Sequence, residues 1–379
     1  MAYQLPASEQ TRLDQLFERL VALRGHFAGY PVTTDLDYAE LWRFLVFPLN
    51  NVGDPFRDGT YGLQTHEFER EVVRWFAGLL HANEENSWGY VTNGGTEGNL
   101  YGLFLARELY PDGICYYSQD THYSVAKNLR LLKMPHIMIK SQPHGEIDYE
   151  DLRETIRIHR DVPPIVFANI GTTMKEAVDQ VPRIRQILRD FAIPQSYIHC
   201  DAALSGMTRP FIPDVVDFDF RQEIDSIAIS GHKFIGSPVP CGIVLANRDH
   251  VRRIARSIEY VGTLDTTITG SRNGFTPLVL WYAIQRWGFD GFAKRVQSSL
   301  QNAQYAVNAL RKVGIQAWRN PDAITVVFPR PSPEIARRWQ IAAHEDIGHI
   351  LVMPSLTRGQ IDAFVAEMAE EEAKKKEAA

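Results

Sequence analysis

The 379-residue sequence has few cysteines and no long apolar run. Cys115, Cys200 and Cys241 are too few for a disulfide framework, and no two of them have CxxC spacing. We therefore expect reduced thiols in a cytoplasmic protein. No apolar stretch approaches the ~20 residues that cross a bilayer, and the N-terminus has no basic start followed by an apolar segment. The sequence thus predicts neither a membrane span nor a secretory signal.

An excess of positive charge is also missing. The chain has 40 lysines and arginines against 46 aspartates and glutamates, a net charge of −6. A polyanion would find no attractive net field, so we expect no nucleic-acid partner. The composition, 45% hydrophobic and 23% charged, is ordinary for a globular protein and excludes a disordered or collagenous chain.

Short apolar segments alternate with helical patterns between about residues 65 and 247. This alternation predicts an α/β fold with a mostly parallel sheet that is covered on both faces. A long helical pattern and two strand-like segments follow Pro277 and predict a smaller α+β unit. We expect an N-terminal helix, a large α/β domain and a small C-terminal α+β domain over residues 1–60, 61–275 and 276–379.

A glycine-rich turn, TNGGTEGN, runs from Thr92 to Asn99 where a strand-like segment meets a helix. Backbone N–H groups at a helix N-terminus bind phosphate, and glycines let the anion approach closely. Thr96 would add a hydroxyl donor. The turn lacks the lysine of GxxxxGK[ST] and the spacing of GxGxxG. It therefore predicts a phosphate cup of another class, with an ordinary capped glycine turn as the alternative.

Two charged residues follow apolar strands. Asp201 ends the segment YIHCD, and the carboxyl ends of strands face the ligand crevice in α/β folds; a helix cap is the alternative. Lys233 stands in the glycine-bracketed turn SGHKFIG. A partly desolvated lysine has a lowered pKa and can form a Schiff base; a surface lysine is the alternative. A phosphate cup, an aspartate for a pyridinium nitrogen and such a lysine together predict a site for pyridoxal phosphate (PLP).

Several segments resemble the group II PLP-dependent amino acid decarboxylases. They are YVTNGGTEGNLYG, DTHYSVAKNLRLLKM, ANIGTTMKEAVD, HCDAALSG, SIAISGHKFIGSPVPCGIVLA and TITGSRNGFTPLVLWYAI. The resemblance runs nearly end to end, and GSPVPCG is most similar to the bacterial histidine branch. It implies the aspartate-aminotransferase-like fold (PLP fold type I) and a homodimer with shared active sites. It also implies conversion of L-histidine to histamine and CO2. Decarboxylation of L-serine or an aromatic amino acid, or another PLP activity such as aminotransfer, is the alternative.

The resemblance also assigns roles to residues. Lys233 matches the lysine that binds PLP covalently, Asp201 the carboxylate on the pyridine nitrogen, and His122 the histidine that stacks on the ring and borders the substrate. The remaining expected cofactor contacts are Gly94, Gly95, Thr96, Thr172, Ala203, Ser230 and His232.

Two positions depart from the family pattern. Phe275 stands where histidine is common and Ala323 where serine is frequent, and both bear on substrate preference. The segments LNNVGDPF and TITGSRNG are expected to approach an active site, the chain's own or the partner's. The resemblance thus implies an N-terminal helix and active-site arm over residues 1–60 and the PLP-binding domain over residues 61–275.

His344 and His349 superficially resemble a zinc motif, HEDIGH. The HExxH motif needs its histidines four residues apart on one helix face, and here they are five apart. We therefore expect no metal site.

Overall fold

The computed structural model describes residues 5–259 and 261–377. Its α-helices are α1 (Ala7–Arg24), α2 (His66–Leu79), α3 (Gly95–Leu109), α4 (Ser124–Leu132), α5 (Tyr149–Ile158), α6 (Val181–Asp190), α7 (Arg248–Ile254), α8 (Phe275–Lys312), α9 (Pro333–Arg338) and α10 (Arg358–Glu377). Its β-strands are β1 (Ser87–Thr92), β2 (Ile114–Ser118), β3 (His136–Ile139), β4 (Pro164–Asn169), β5 (Tyr197–Asp201), β6 (Ser226–Ser230), β7 (Gly242–Asn247), β8 (Arg256–Ile258), β9 (Thr263–Asp265), β10 (Thr325–Pro329), β11 (Ala342–His344) and β12 (Ile347–Leu351).

The large sheet has seven strands in the order β1-β7-β6-β5-β4-β2-β3. Strands β2 to β6 pair in parallel, and β7 runs antiparallel to both of its neighbours, β1 and β6. Every residue of β4, β5 and β6 is buried, as expected where helices cover both faces of a sheet. The mostly parallel α/β architecture predicted from the alternating pattern is confirmed.

Two apolar cores lie against this sheet. One contains side chains of α2, α5, α6 and the first half of α8, and the other contains side chains of α3, α4 and α7. Asp148 caps α5 by accepting hydrogen bonds from the backbone N–H groups of Glu150 and Asp151.

The C-terminal part adds a smaller sheet, β10-β12-β11, whose strands are antiparallel. Its own core includes Phe328, Trp339 and Phe364, covered by α9, α10 and the second half of α8. Helix α8 spans both cores and bends at Gly288, where φ is +58°. The three-part division of the chain stays a prediction, and residues 1–4 and 378–379 of its outer parts lie outside the described residues.

The N-terminal helix forms as its pattern predicts, but none of its residues is buried. Leu13, Phe17 and Leu20 are 50%, 69% and 53% exposed. An amphipathic helix gains most of its stability by covering its apolar face. Among the described residues, none covers that face of α1. No helix of the described residues is long and apolar enough to span a bilayer.

Helix α3 packs unusually close to the large sheet. A Cβ on Gly98 would lie 2.8 Å from the Cβ of Ala228 on β6, and a Cβ on Gly102 would lie 2.1 Å from Nδ1 of His199 on β5. Because both distances are too short for real carbon contacts, these two positions need glycine. The contact brings the N-terminus of α3 to the carboxyl ends of β5 and β6.

Candidate active site

A cavity of about 440 Å³ opens where β4, β5 and β6 end and α3 begins. The carboxyl ends of parallel strands lie at one edge of a sheet, so side chains that are distant in sequence meet there. The predicted site residues that line this cavity are Gly95, Thr96, His122, Thr172, Asp201, Ala203, Ser230, His232 and Lys233.

Gly94 lies just behind the cavity as the N-cap of α3, with φ +143°. Its carbonyl accepts hydrogen bonds from the N–H groups of Glu97 and Gly98. The helix has no side-chain cap, so the preceding amides, those of Gly95 and Thr96, are the ones that can face an anion. A Cβ on Gly95 would lie 2.7 Å from Oγ of Ser230. Glycine at this position therefore lets α3 approach the end of β6 closely.

Asp201 ends β5 and is 7% exposed. Its Oδ2 accepts a hydrogen bond from Nδ2 of Asn99 (2.8 Å), and its Oδ1 accepts one from the backbone N–H of Ala203 (3.1 Å). Two donors on different oxygens fix the plane of the carboxylate. The group is therefore a preorganised negative charge at the cavity wall.

Lys233 enters the same cavity from the turn after β6. Burial lowers the pKa of Lys233, although Asp201 and Glu176 oppose the shift electrostatically. Among the described residues Lys233 forms no salt bridge, whereas Lys175 pairs with Asp120 at 3.1 Å. A lysine without an ion partner and with a lowered pKa is the form that reacts as a neutral amine.

Two histidines flank the lysine. Nδ1 of His232 lies 2.9 Å from the carbonyl oxygen of Cys241, so that nitrogen carries the proton and donates it. Nδ1 of His122 accepts a hydrogen bond from the backbone N–H of Ser124 (3.3 Å), which assigns the proton of the neutral ring to Nε2. Burial is the main cause that lowers the pKa of both histidines. Both rings are therefore mainly neutral at neutral pH.

Residues that the sequence analysis did not single out complete the walls. Asn99 follows the glycine turn on α3, and the opposite wall combines the N-terminal segment with the small sheet, through Gly29, Tyr30, Pro31, Val32, Thr325, Ala342, His349 and Leu351. Side chains alternate between the two faces of a strand, so His199 lies on the same face of β5 as Asp201. This alternation could have singled out His199 from the sequence. No local sequence pattern indicates the cavity residues of the small sheet, because their position depends on how the two sheets pack.

The two histidines of HEDIGH do not share a helix. His344 lies on β11 and His349 on β12, two paired antiparallel strands. The ring of His349 contacts two carbonyl oxygens instead, with Nδ1 3.1 Å from Met174 O and Nε2 3.3 Å from Gly29 O.

The segments LNNVGDPF and TITGSRNG join each other outside this cavity. Asn50 and Asn273 form an isolated β-bridge, and the buried Arg272 pairs with Glu69 and donates to the carbonyl oxygen of Gly53 (3.0 Å). Phe275 begins α8 beside this cluster. Neither Phe275 nor Ala323 lines the cavity of its own chain.

A buried carboxylate joins the large and small sheets beneath the cavity. Oε2 of Glu176 accepts hydrogen bonds from the N–H groups of Ile324 (3.0 Å) and Thr325 (2.8 Å) and from the Thr325 hydroxyl (2.6 Å). Its Oε1 accepts one from Oγ of Ser205 (3.2 Å). Burial raises the pKa of Glu176 despite the hydrogen bonds from Thr325 that oppose it. Thr172, which comes shortly before Glu176 in the chain, and Thr325, which donates to Glu176, both line the cavity. The Glu176 contacts therefore fix the distance between two cavity walls.

The conserved domain of pyridoxal-dependent decarboxylases matches residues 63–327, well over half of the chain. The chain belongs to the pyridoxal-dependent decarboxylase family. This membership confirms the resemblance found in the sequence, the enzymatic class and PLP as the cofactor.

Curated members of the family match almost the whole chain. A histidine decarboxylase of Mesorhizobium japonicum is 49% identical, covering 95% of this chain and 98% of that protein. A histidine decarboxylase of Morganella morganii is 47% identical, covering 95% and 96%. The structure is similar to an L-methionine decarboxylase from Streptomyces sp. 590, with a TM-score of 0.90, 29% identity and coverage of 97% and 96%. The aspartate-aminotransferase-like fold is thereby confirmed for this decarboxylase.

The Glu176 link can be tested by a pair of substitutions. Glu176→Ala leaves four buried donors without their acceptor, and we expect a loss of roughly 2–4 kcal/mol in the free energy of unfolding. Glu176→Gln keeps one oxygen for those donors and an N–H₂ group that can donate to Ser205, so its loss should stay below about 1 kcal/mol. Urea denaturation measures both. Equal losses in the two variants would contradict the link.

Proposed function

We propose that the protein decarboxylates L-histidine to histamine and CO2 with PLP as its cofactor. The carrying observation is the meeting of Lys233, Asp201 and the α3 glycine turn in one cavity. The choice of histidine is supported by the proteins named histidine decarboxylase, which are 46–49% identical over more than nine-tenths of the chain.

The residues of the cavity fit PLP. The amides of Gly95 and Thr96, with the side chains of Ser230 and His232, would hold the phosphate at the α3 N-terminus next to Gly94. Asp201 would face the pyridine nitrogen, and Lys233 would hold the aldehyde carbon. The cofactor's ring would lie between His122 and Ala203, with Thr172 as a further contact. When bound, PLP supplies the electron sink for the pair left at Cα as CO2 departs.

The protein's own contribution is charge and orientation. A carboxylate at the position of Asp201 favours the protonated, electron-withdrawing form of the ring, and each pKa unit gained there corresponds to about 1.36 kcal/mol. The lowered pKa of Lys233, caused mainly by burial, raises the fraction of neutral amine that can take up the cofactor. Neutral His122 presents an Nε2–H donor, which can hold a substrate carboxylate or carry a proton.

Substrate selection belongs to the wall opposite these groups. Tyr30, Pro31 and Val32 of the N-terminal segment face the site together with Thr325 and His349 of the small sheet. Residues 1–60 would thus include the active-site arm expected from the sequence. The apolar side chains of Pro31 and Val32 lie beside the Thr325 hydroxyl, whose oxygen can still accept a hydrogen bond. This combination suits a flat, partly polar side chain such as imidazole.

Product analysis of the purified protein tests this function directly. We incubate it with PLP and a panel of L-histidine, L-serine, L-methionine and the aromatic amino acids, and measure CO2 release and amine formation. Histamine should be the main amine. The control is Lys233→Ala, which should reduce turnover at least ~10³-fold because it removes the covalent attachment.

Formation of a keto acid would indicate aminotransfer and would contradict the proposed decarboxylation. Preferential CO2 release from another amino acid would contradict the choice of histidine and leave the decarboxylase assignment in place.

We further propose a cytoplasmic homodimer with active sites shared between subunits. The described cysteines are all free and buried, in keeping with a reducing compartment. The apolar face of α1, which the described part of the chain leaves exposed, suits burial against a second copy. The joined segments around Asn50 and Asn273 lie away from their own cavity, as expected if they complete the partner's site.

If the protein is a dimer that buries α1, substitutions on α1 should lower its molecular mass in solution. Replacing Phe17 and Leu20 together with aspartate should shift sedimentation from dimer towards monomer, because two charges would be buried at the interface. Ile158→Asp is the matched control, since Ile158 is 71% exposed on α5. A monomeric wild-type protein, or a double variant that stays as dimeric as the control, would contradict the proposal.

A further inference from the structure

A line of buried hydrogen bonds leads away from Asp201 into the large domain. Asn99 on α3 donates from Nδ2 to Asp201 (2.8 Å), and its Oδ1 lies 2.9 Å from Nε2 of His199 on β5. Nδ1 of His199 lies 2.7 Å from Oγ of Ser226 on β6, and the hydroxyl of Tyr197 donates to that Oγ (2.8 Å). Each of these side chains except Asp201 is at most 2% exposed.

With Asp201 ionised, the hydrogen bonds of this line can run in one direction only. An ionised carboxylate only accepts, so Asn99 must turn its N–H₂ group to Asp201 and its oxygen to His199. The oxygen only accepts, so the proton of the imidazole must be on Nε2, and Nδ1 accepts from the Ser226 hydroxyl. The donors and acceptors along the line are then matched, with one proton between each pair of partners.

His199 is suited to fix this direction. Burial lowers the pKa of His199 to about 3, so the ring is neutral at neutral pH and has a single N–H. Its place against α3 depends on Gly102, where a Cβ would lie 2.1 Å from Nδ1. The glycine thus permits a contact that brings the imidazole within reach of Asn99.

We propose that Asn99 and His199 are positioning residues that hold the Asp201 carboxylate in the correct orientation for the cofactor's ring nitrogen. His199 holds the amide of Asn99 in one of its two orientations, and the amide holds Asp201. Without His199 the amide can rotate by half a turn, which would set its oxygen against the carboxylate. This inference rests on the proposed contact between Asp201 and PLP.

The test compares two substitutions of His199 in the full-length protein. His199→Leu removes the donor to Asn99, whereas the amide of His199→Gln can still donate to it. Apoprotein is titrated with PLP, and binding is followed by the visible absorbance of the cofactor. Turnover of L-histidine is then measured against pH at saturating PLP.

We expect His199→Leu to weaken PLP binding roughly 10- to 100-fold, the effect of one charge-assisted hydrogen bond. The acidic limb of its pH profile should move to higher pH, because an unsupported carboxylate is protonated more easily. His199→Gln should restore most of the affinity and the original limb. The control is Tyr197→Phe, which removes a buried hydroxyl of the same line but no donor that Asn99 uses; its affinity and pH profile should match the wild type.

The outcomes separate this inference from the proposed function. A wild-type protein that does not bind PLP overturns both. A wild type that binds PLP while His199→Leu binds it equally well, with an unchanged pH profile, overturns the positioning role alone. Equal defects in the leucine, glutamine and Tyr197→Phe variants would show a packing effect and also overturn it. If His199→Leu does not fold, the isosteric Asn99→Asp replaces it, and unaltered PLP affinity in that variant has the same meaning.

Discussion

The close contact between α3 and the strands β5 and β6 determines the geometry of the candidate site. Glycines at 95, 98 and 102 let the helix approach until a Cβ at any of them would meet Ser230, Ala228 or His199 within 2.8 Å. That approach places the free amides of the helix N-terminus beside the carboxyl ends of the strands. It also brings Asn99 against Asp201, so one packing contact sets both the anion-binding end and the acidic end of the cavity.

The site also depends on which of its ionisable side chains have hydrogen-bond or ion-pair partners. Asp201 has two hydrogen-bond donors, and Glu176 has four, whereas Lys233 forms no salt bridge among the described residues. Burial then favours the neutral amine of the lysine, and the surrounding donors fix the orientation of the two carboxyl groups. A site that binds an aldehyde and an adjacent cationic ring needs this combination of a reactive amine and a fixed negative charge.

Much of this could be predicted from sequence because the decisive signals are local. TNGGTEGN, HCDAA and SGHKFIG each combine a strand end with a turn, and the parallel sheet brings strand ends together. The walls formed by Gly29–Val32, Thr325 and His349 could not be predicted, because they depend on contacts between parts of the chain more than a hundred residues apart. The alternation of side chains along β5 could have indicated His199. Its partner Asn99 could not be predicted in the same way, because Asn99 is on a helix and no sequence period shows which helix face contacts which strand.

The proposed chemistry depends most on Lys233 being the amine that holds the cofactor. Reduction of the PLP-loaded protein with borohydride, followed by peptide mapping, tests this directly. The account predicts one modified peptide that contains Lys233, and no label in Lys233→Ala. A label on another lysine, such as the ion-paired Lys175, or a wild-type protein without any label, would contradict it.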